Sequence, residues 1–275
     1  MNSLASTRFP AFFISHGGPP LAVDGGPTYR FLKDLGRRLL LLKKPKVIVM
    51  VSAHYISRDS TVRVTSDARM RTIYDFGGFD EVRHLKYPAP GSPATAQTVV
   101  ELLNKGGVPA RLESNRGLDH GAWVPLVLMF PNCDIPVIQI SMLASFDPAA
   151  HIAMGKALAP LKQDPDVLFL ASGSLTHNFS VFQWMHGGGP KGWRETMSRF
   201  EKMMGQIMAK QGAEREKELL QLVDTPECDM AHPQIDHLLP AYVVAGYEFD
   251  KPASVVHEGK AVGFDMCLNA YEFRI

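Results

Sequence analysis

Val47-Ile48-Val49-Met50-Val51-Ser52-Ala53-His54 opens as a β-branched apolar run and ends abruptly in small and polar side chains, then a histidine. Val47 to Val51 has the length and composition of a strand buried on both faces, the kind found at the centre of an α/β sheet. Ligands of open α/β sheets lie just beyond the carboxyl ends of the strands, which is where His54 falls. The same grammar occurs twice more. Ala11-Phe12-Phe13-Ile14-Ser15 runs into His16 and Gly17-Gly18-Pro19-Pro20, and Val167-Leu168-Phe169-Leu170-Ala171-Ser172 runs into Gly173-Ser174-Leu175-Thr176-His177-Asn178. If the three strands are parallel neighbours, three imidazoles converge on one rim, and convergent imidazoles are a common way to hold a transition metal.

Around these strands the chain offers enough material for one large core, with 275 residues of which 45 % are hydrophobic. Glycine and proline are spread rather than pooled, so a single domain over residues 1–275 is expected. A formal net charge of +1 gives no reason to expect a nucleic acid or a membrane as partner. The local basic cluster from Arg37-Arg38 to Lys43-Lys44 and Lys46 reads as a solvated helix end. Cys133, Cys228 and Cys267 are scattered, odd in number and form no C-x-x-C, which fits a reducing, cytoplasmic setting. Residues 1–10 lack a basic start followed by an apolar run, and no stretch approaches membrane-spanning length.

Periodicity predicts helices over 28–42, 94–104 and a segment from Val124 to Phe130 with Pro125 in its first turn, which puts His120 just before a helix N-terminus. Asp147-Pro148 predicts an N-cap and first turn. Thr61 to Thr65 alternates and reads as a more exposed strand, Pro136 to Ser141 as another, and Ser254 to His257 and Gly263 to Ala270 as closing strands. Trp193, Met197, Phe200, Met204 and Ile207 form a helical stripe suited to the core or to contact between copies of the chain in a homo-oligomer. The letters G-x-G-x-x-G near Gly187 follow no strand and contain Pro190, so no dinucleotide site is read there. The long stretch through Tyr74-Asp75-Phe76-Gly77-Gly78-Phe79 and Tyr87-Pro88-Ala89-Pro90 reads as a functional loop or lid.

Ten histidines need sorting. His84, His151, His186 and His257 have no distinctive setting. His16, His54 and His177 share the strand-end position, His120 sits between Asp119 and Trp123, and His232 and His237 flank a helix start. H-E-x-x-H, C-x-x-C and G-x-S-x-G are absent, although Ser172 and Ser174 near His177 leave a hydrolase idea open. Position alone points to a metal site that includes His16 and His54.

Ser15-His16-Gly17-Gly18-Pro19, Val51-Ser52-Ala53-His54-Tyr55, Asp75-Phe76-Gly77-Gly78-Phe79, Tyr87-Pro88-Ala89-Pro90-Gly91-Ser92-Pro93, Asp119-His120-Gly121-Ala122-Trp123, Thr176-His177-Asn178 and Asp236-His237-Leu238-Leu239-Pro240 occur in this order over nearly the whole chain. Together they resemble the DOPA-dioxygenase type of class III extradiol ring-opening dioxygenases, related to the catalytic subunit of protocatechuate 4,5-dioxygenase. The resemblance implies an α/β fold of one domain, with a mixed central β-sheet flanked by helices and a metal site at the sheet rim. It implies His16, His54 and His237 as metal ligands and His177 as acid/base, able to approach the metal as a fourth ligand in zinc-loaded relatives. It places His120 on the substrate side, leaving His232 as a capping or surface residue.

By the same resemblance the partners are a small aromatic diol and dioxygen (O2), and the cofactor is Fe(II), with Zn(II) able to occupy the same site. Three neutral ligands leave the full charge of the ion to attract a catecholate and also suit Zn(II). Two alternatives use the same residues: a zinc-dependent hydrolase, and a non-enzymatic metal-binding protein. Phe76, Phe79, Tyr87, Trp123, Tyr29 and Tyr55 are candidates for an aromatic pocket.

Overall fold

The computed structural model describes residues 8–274; residues 1–7, most of the stretch searched for a leader, lie outside it. The first half of the chain runs through β1 (Ala11–Ser15), α1 (Pro27–Leu42), β2 (Val47–Ile56), β3 (Val62–Thr65), α2 (Pro93–Lys105), β4 (Ala110–Glu113), α3 (His120–Met129) and β5 (Val137–Met142). It continues through α4 (Pro148–Leu158), β6 (Val167–Gly173), α5 (Ser180–Gln183), α6 (Trp193–Met208), α7 (Gly212–Leu222) and α8 (Pro226–Ala231). A 3-10 turn at Ile235–His237 leads into α9 (Leu239–Tyr247), and β7 (Ala253–His257) and β8 (Ala270–Phe273) close the fold.

Among the described residues the strands form one sheet in the order β4-β3-β5-β2-β6-β1-β8-β7. The pairs β1–β6, β2–β6 and β2–β5 are parallel, whereas β1–β8 and β3–β5 are antiparallel, so the sheet is mixed. The three strands ending toward histidines are therefore neighbours, with β6 between β1 and β2. Their side chains alternate between two cores. Phe13, Val49, Val51, Phe169 and Ala171 join one core with residues of α2, α4, α6, α7 and α9. Phe12, Ile14, Ile48, Met50, Leu168 and Leu170 join the other, against α1 and α3. Each aliphatic side chain fully buried in this way contributes about 1.5–3 kcal/mol before conformational entropy is counted.

Several expectations need correction. The strand Val62–Thr65 is buried along its whole length, because it lies between β4 and β5 rather than at an edge. The final strand begins at Ala270; residues 263–269 carry only an isolated bridge, Lys260 with Cys267. Helix α3 begins at His120, capped by Asp119, so Pro125 stands inside it rather than in its first turn. Of the two readings offered for the stripe on α6, the core is the one seen: Trp193, Met197, Phe200, Met204 and Ile207 are all buried within this chain. Asp147 caps α4 as expected, accepting from the Ala149 amide at 2.9 Å. No helix among the described residues is long and apolar enough to cross a membrane.

Candidate metal centre at the sheet rim

Toward their carboxyl ends, β2 and β6 change character on the face that meets α3. Ile48, Met50, Leu168 and Leu170 give way to Ser52 and Ser172, which are register partners across the two strands. The N-terminus of α3 comes close there because residue 121 is glycine. A Cβ at Gly121 would stand 2.4 Å from Ser52 Oγ, closer than real contacts allow, and a tight 3.0 Å from His54 Cδ2.

Around this gap the five histidines singled out from the sequence come together. His16 Nε2 lies 3.1 Å from His54 Nε2, and His237 Nε2 lies 3.0 Å from the same atom. His120 packs against His54 with ring centroids 3.8 Å apart, and His177 stacks on His237 at 3.5 Å and 8° between planes. His54 lies within β2, beyond the irregularity in the pairing with β5 that follows Val51, rather than beyond the strand.

Second contacts adjoin the rings of His16, His237, His120 and His54. His16 Nδ1 meets Ser172 Oγ at 2.9 Å. His237 Nδ1 lies 3.1 Å from Asp236 Oδ2. Asp75 accepts the His120 backbone N–H at 2.9 Å, while its other oxygen lies 3.0 Å from His120 Nδ1 and 3.8 Å from His54 Nδ1. The carboxylate contacts at His120 Nδ1 and His237 Nδ1 are close but out of line for hydrogen bonds. Below the rings, Asp119 is fully buried and receives Ser52 Oγ at 2.7 Å, Arg116 Nη2 at 3.1 Å and the Gln139 side chain. The backbone of His54 joins this floor at both ends: its N–H donates to Ser52 Oγ and its carbonyl accepts from Arg116.

Three ring nitrogens turned toward one point, those of the buried His16 and His237 and the half-buried His54, cannot satisfy one another, since a neutral imidazole has one N–H and His54 Nε2 faces two partners. They do suit a divalent transition metal, for which imidazole is a preferred ligand. His16, His54 and His237 have ligand atoms within 4.8 Å of one another, as do two adjoining sets, His54–Asp75–His120 and His177–Asp236–His237.

Electrostatics favour neutral rings. Burial, then the neighbouring histidines, hold His16 and His237 well below the ordinary histidine range. His54 is lowered to about 3, mainly by burial, with Asp75 opposing. His177 is lowered by burial against the pull of Asp236.

The remaining histidines lie elsewhere. His232 is buried rather than at the surface: it ends α8, and its Nε2 donates to the Leu175 carbonyl at 2.8 Å. His151 is buried and bridges the Leu143 amide and the Asp147 carbonyl. Ser172 and Ser174 are buried with their hydroxyls committed to the carbonyls of Gly121 and Thr176, which removes the serine-hydrolase idea.

Of the aromatic candidates, only Phe76 reaches the ring cluster, edge-on to His120 at 5.7 Å. Phe79 stands behind it at 6.2 Å, and Tyr29 pairs with Lys33. Tyr87 and Trp123 are core residues bonded to the carbonyls of Phe130 and Ile73, and Tyr55 lies beneath Arg116. Phe179 escaped the sequence reading. It is 64 % exposed and its ring centroid lies 4.8 Å from that of His177, whereas Phe76 meets a different histidine of the cluster, His120. Its position directly after the Thr176-His177-Asn178 phrase was the one available signal.

The buried histidines carry a pH consequence. His232 titrates at about 4 when folded and near 6.5 when unfolded. A depressed folded value means that the unfolded chain binds the proton first, so the contribution is complete above pH 6.5 and is lost as the pH falls toward 4. For His232 alone this amounts to roughly 3 kcal/mol. His151 adds in the same direction. Denaturation midpoints of the metal-free protein are expected to be flat from pH 8 to 7 and to fall steadily below 6.5; midpoints constant down to pH 5 would contradict this.

Comparison with known proteins agrees with the arrangement. A family model described as the catalytic LigB subunit of aromatic ring-opening dioxygenase matches residues 9–262. The 4,5-DOPA dioxygenase extradiol of Escherichia coli K12 is 35 % identical over 263 residues, covering 94 % of this chain and 93 % of that one. The protein of the same name from Beta vulgaris is 37 % identical over 268 residues, covering 95 % of each. The crystal structure of an uncharacterized protein from Escherichia coli K12 superposes with a TM-score of 0.77 at 31 % identity, covering 97 % of this chain and all of the other.

Proposed function

This chain belongs to the family of catalytic LigB subunits of aromatic ring-opening dioxygenases, and from that premise we propose that it opens the ring of a DOPA-like or other substituted catechol beside its diol, using Fe(II) held by His16, His54 and His237. Relatives named 4,5-DOPA dioxygenase extradiol support the substrate class. The observation that carries the metal assignment is the convergence of three Nε2 atoms, two on buried rings and one on the half-buried His54, on one point. Fe(II) at that point would bring catechol and dioxygen together and pass electrons between them.

The chain's own residues supply the rest. His177 is neutral at pH 7, held down by burial, and is only partly covered, so it can take a proton from a catechol hydroxyl. It then holds that proton for return to oxygen as the ring opens. Asp236 faces His237 Nδ1 and favours the charged form of His177, which eases that transfer. His120, oriented by Asp75 through its backbone N–H, presents its ring beside His54, where it would hydrogen-bond a catechol oxygen or the incoming dioxygen. Phe76 and Phe179 flank the cluster and would bracket the flat ring of the substrate. Both oxygen atoms enter the product, a muconic semialdehyde-type compound.

The test is dioxygen uptake by protein stripped of metal and reloaded anaerobically with Fe(II) or Zn(II), then given a panel of catechols. Uptake with a yellow product in the Fe(II) form alone is the expected result. No uptake by verified Fe(II)-loaded protein with any catechol in the panel would overturn the substrate assignment. Uptake by the zinc form would overturn the iron assignment.

A further inference from the structure

The geometry points to Pro125 as a positioning residue: by leaving the Gly121 carbonyl without its helical partner, it commits the Ser172 hydroxyl to that carbonyl and so fixes which nitrogen of His16 carries the proton. In an α-helix the carbonyl of residue 121 accepts from the N–H of residue 125. Residue 125 of α3 is proline and has no N–H. The buried carbonyl is instead met from the sheet, where Ser172 Oγ donates to Gly121 O at 2.6 Å.

A hydroxyl has a single proton. Once that proton lies on Gly121 O, Ser172 Oγ offers only lone pairs to His16 Nδ1, 2.9 Å away. His16 Nδ1 must then be the donor, and His16 Nε2 keeps the lone pair that faces His54 Nε2. An N–H restored at residue 125 would compete for the Gly121 carbonyl. The Ser172 proton would then be free to turn to His16 Nδ1, driving the ring hydrogen onto Nε2, where it would occupy the position that a cation needs. Proline inside α3 thus serves a ring on a different element, more than a hundred positions earlier in the chain.

The inference rests on the reading of His16 as a metal ligand, but its first readout does not. In metal-free, 15N-histidine-labelled protein, long-range 1H–15N spectra report which nitrogen of His16 is protonated. Wild type is expected to show Nδ1–H, Pro125→Ala a shift toward Nε2–H, and Ser172→Ala a mixture of the two. Zn(II) affinity, measured by competition with a chromophoric chelator, is expected to weaken by about 10-fold in Pro125→Ala and in Ser172→Ala, the size typical of losing an outer hydrogen bond to a ligand. Ser172→Thr, which keeps the hydroxyl, is expected to retain wild-type affinity. The thermal midpoint of Pro125→Ala should stay level or rise, since a helix interior prefers alanine.

Nδ1–H retained in both Pro125→Ala and Ser172→Ala, with Zn(II) affinity within twofold of wild type, would overturn the inference. If Pro125→Ala does not fold, the Ser172 pair decides it alone: equal affinities for alanine and threonine would overturn it. A tautomer shift in a protein whose wild type binds no Zn(II) would uphold the proton assignment and overturn the metal reading instead.

Discussion

Replacing His237 by alanine is expected to leave a folded chain that no longer retains a divalent metal. His237 supplies one of the three nitrogens at the centre, 3.0 Å from His54 Nε2, and its ring stacks on His177. Structural zinc binding of roughly 10–16 kcal/mol is shared among about four ligands, so losing one of three should weaken affinity by at least a hundred- to a thousandfold. Metal content after gel filtration should fall from one per chain toward zero, and ring-opening with it. The control is His232→Gln. His232 lies five positions earlier and is equally buried, yet it bonds the Leu175 carbonyl and contributes no atom to the centre. That variant should lose stability but keep its metal. Equal metal content in His237→Ala and wild type would remove His237 from the centre.

His177→Ala is expected to separate binding from chemistry. Metal content should remain at one per chain while kcat falls by roughly 10²–10⁴, the range for loss of a positioned acid/base group. Its pH dependence has a definite sign. The base must be neutral, and burial lowers the His177 pKa below the ordinary 6.5. Wild-type kcat/KM should therefore be level through pH 7 and decline on the acid side below 6.5, and this limb should disappear in the variant. If the metal is lost along with activity, His177 acts as a ligand and not only as a proton carrier.

The strands that carry the centre could be read from the sequence because β1, β2 and β6 are continuous apolar runs cut short by serine and histidine, a pattern that needs no knowledge of their partners. Strand β4, Ala110–Glu113, could not: four residues with charges at alternate positions look like loop until β3 is beside them. The burial of β3 depended on the same pairing. Five histidines of the centre were legible, three from position and two more from ordered motifs. Their second contacts were less so. Asp75 and Asp236 were visible as letters, but the role of Asp75 depends on an irregular segment folding back onto a ring far away in the chain, and that of Asp236 on the turn that sets its carboxylate against the ring of its own neighbour His237. Pro125 reads locally as an ordinary first-turn helix proline, and its proposed role rests on the approach of Ser172 from β6, which nothing near residue 125 in the chain announces. His232 looked superficial because nothing local indicates that α8 lies over the loop following β6, where the His177 amide bonds Ala231 O.

The spacing of the three central nitrogens along the chain governs when the protein can acquire its ion. His16 and His54 flank α1, but β6 must slot between their strands, and His237 follows only after α8. During synthesis at about 5–20 residues per second, the first two imidazoles emerge many seconds before the third. An early ion would find two mobile histidines and hold weakly. The centre is therefore completed late in assembly: its three imidazoles meet only once the sheet is nearly threaded, and a chain ending before His237 would lack the third of them.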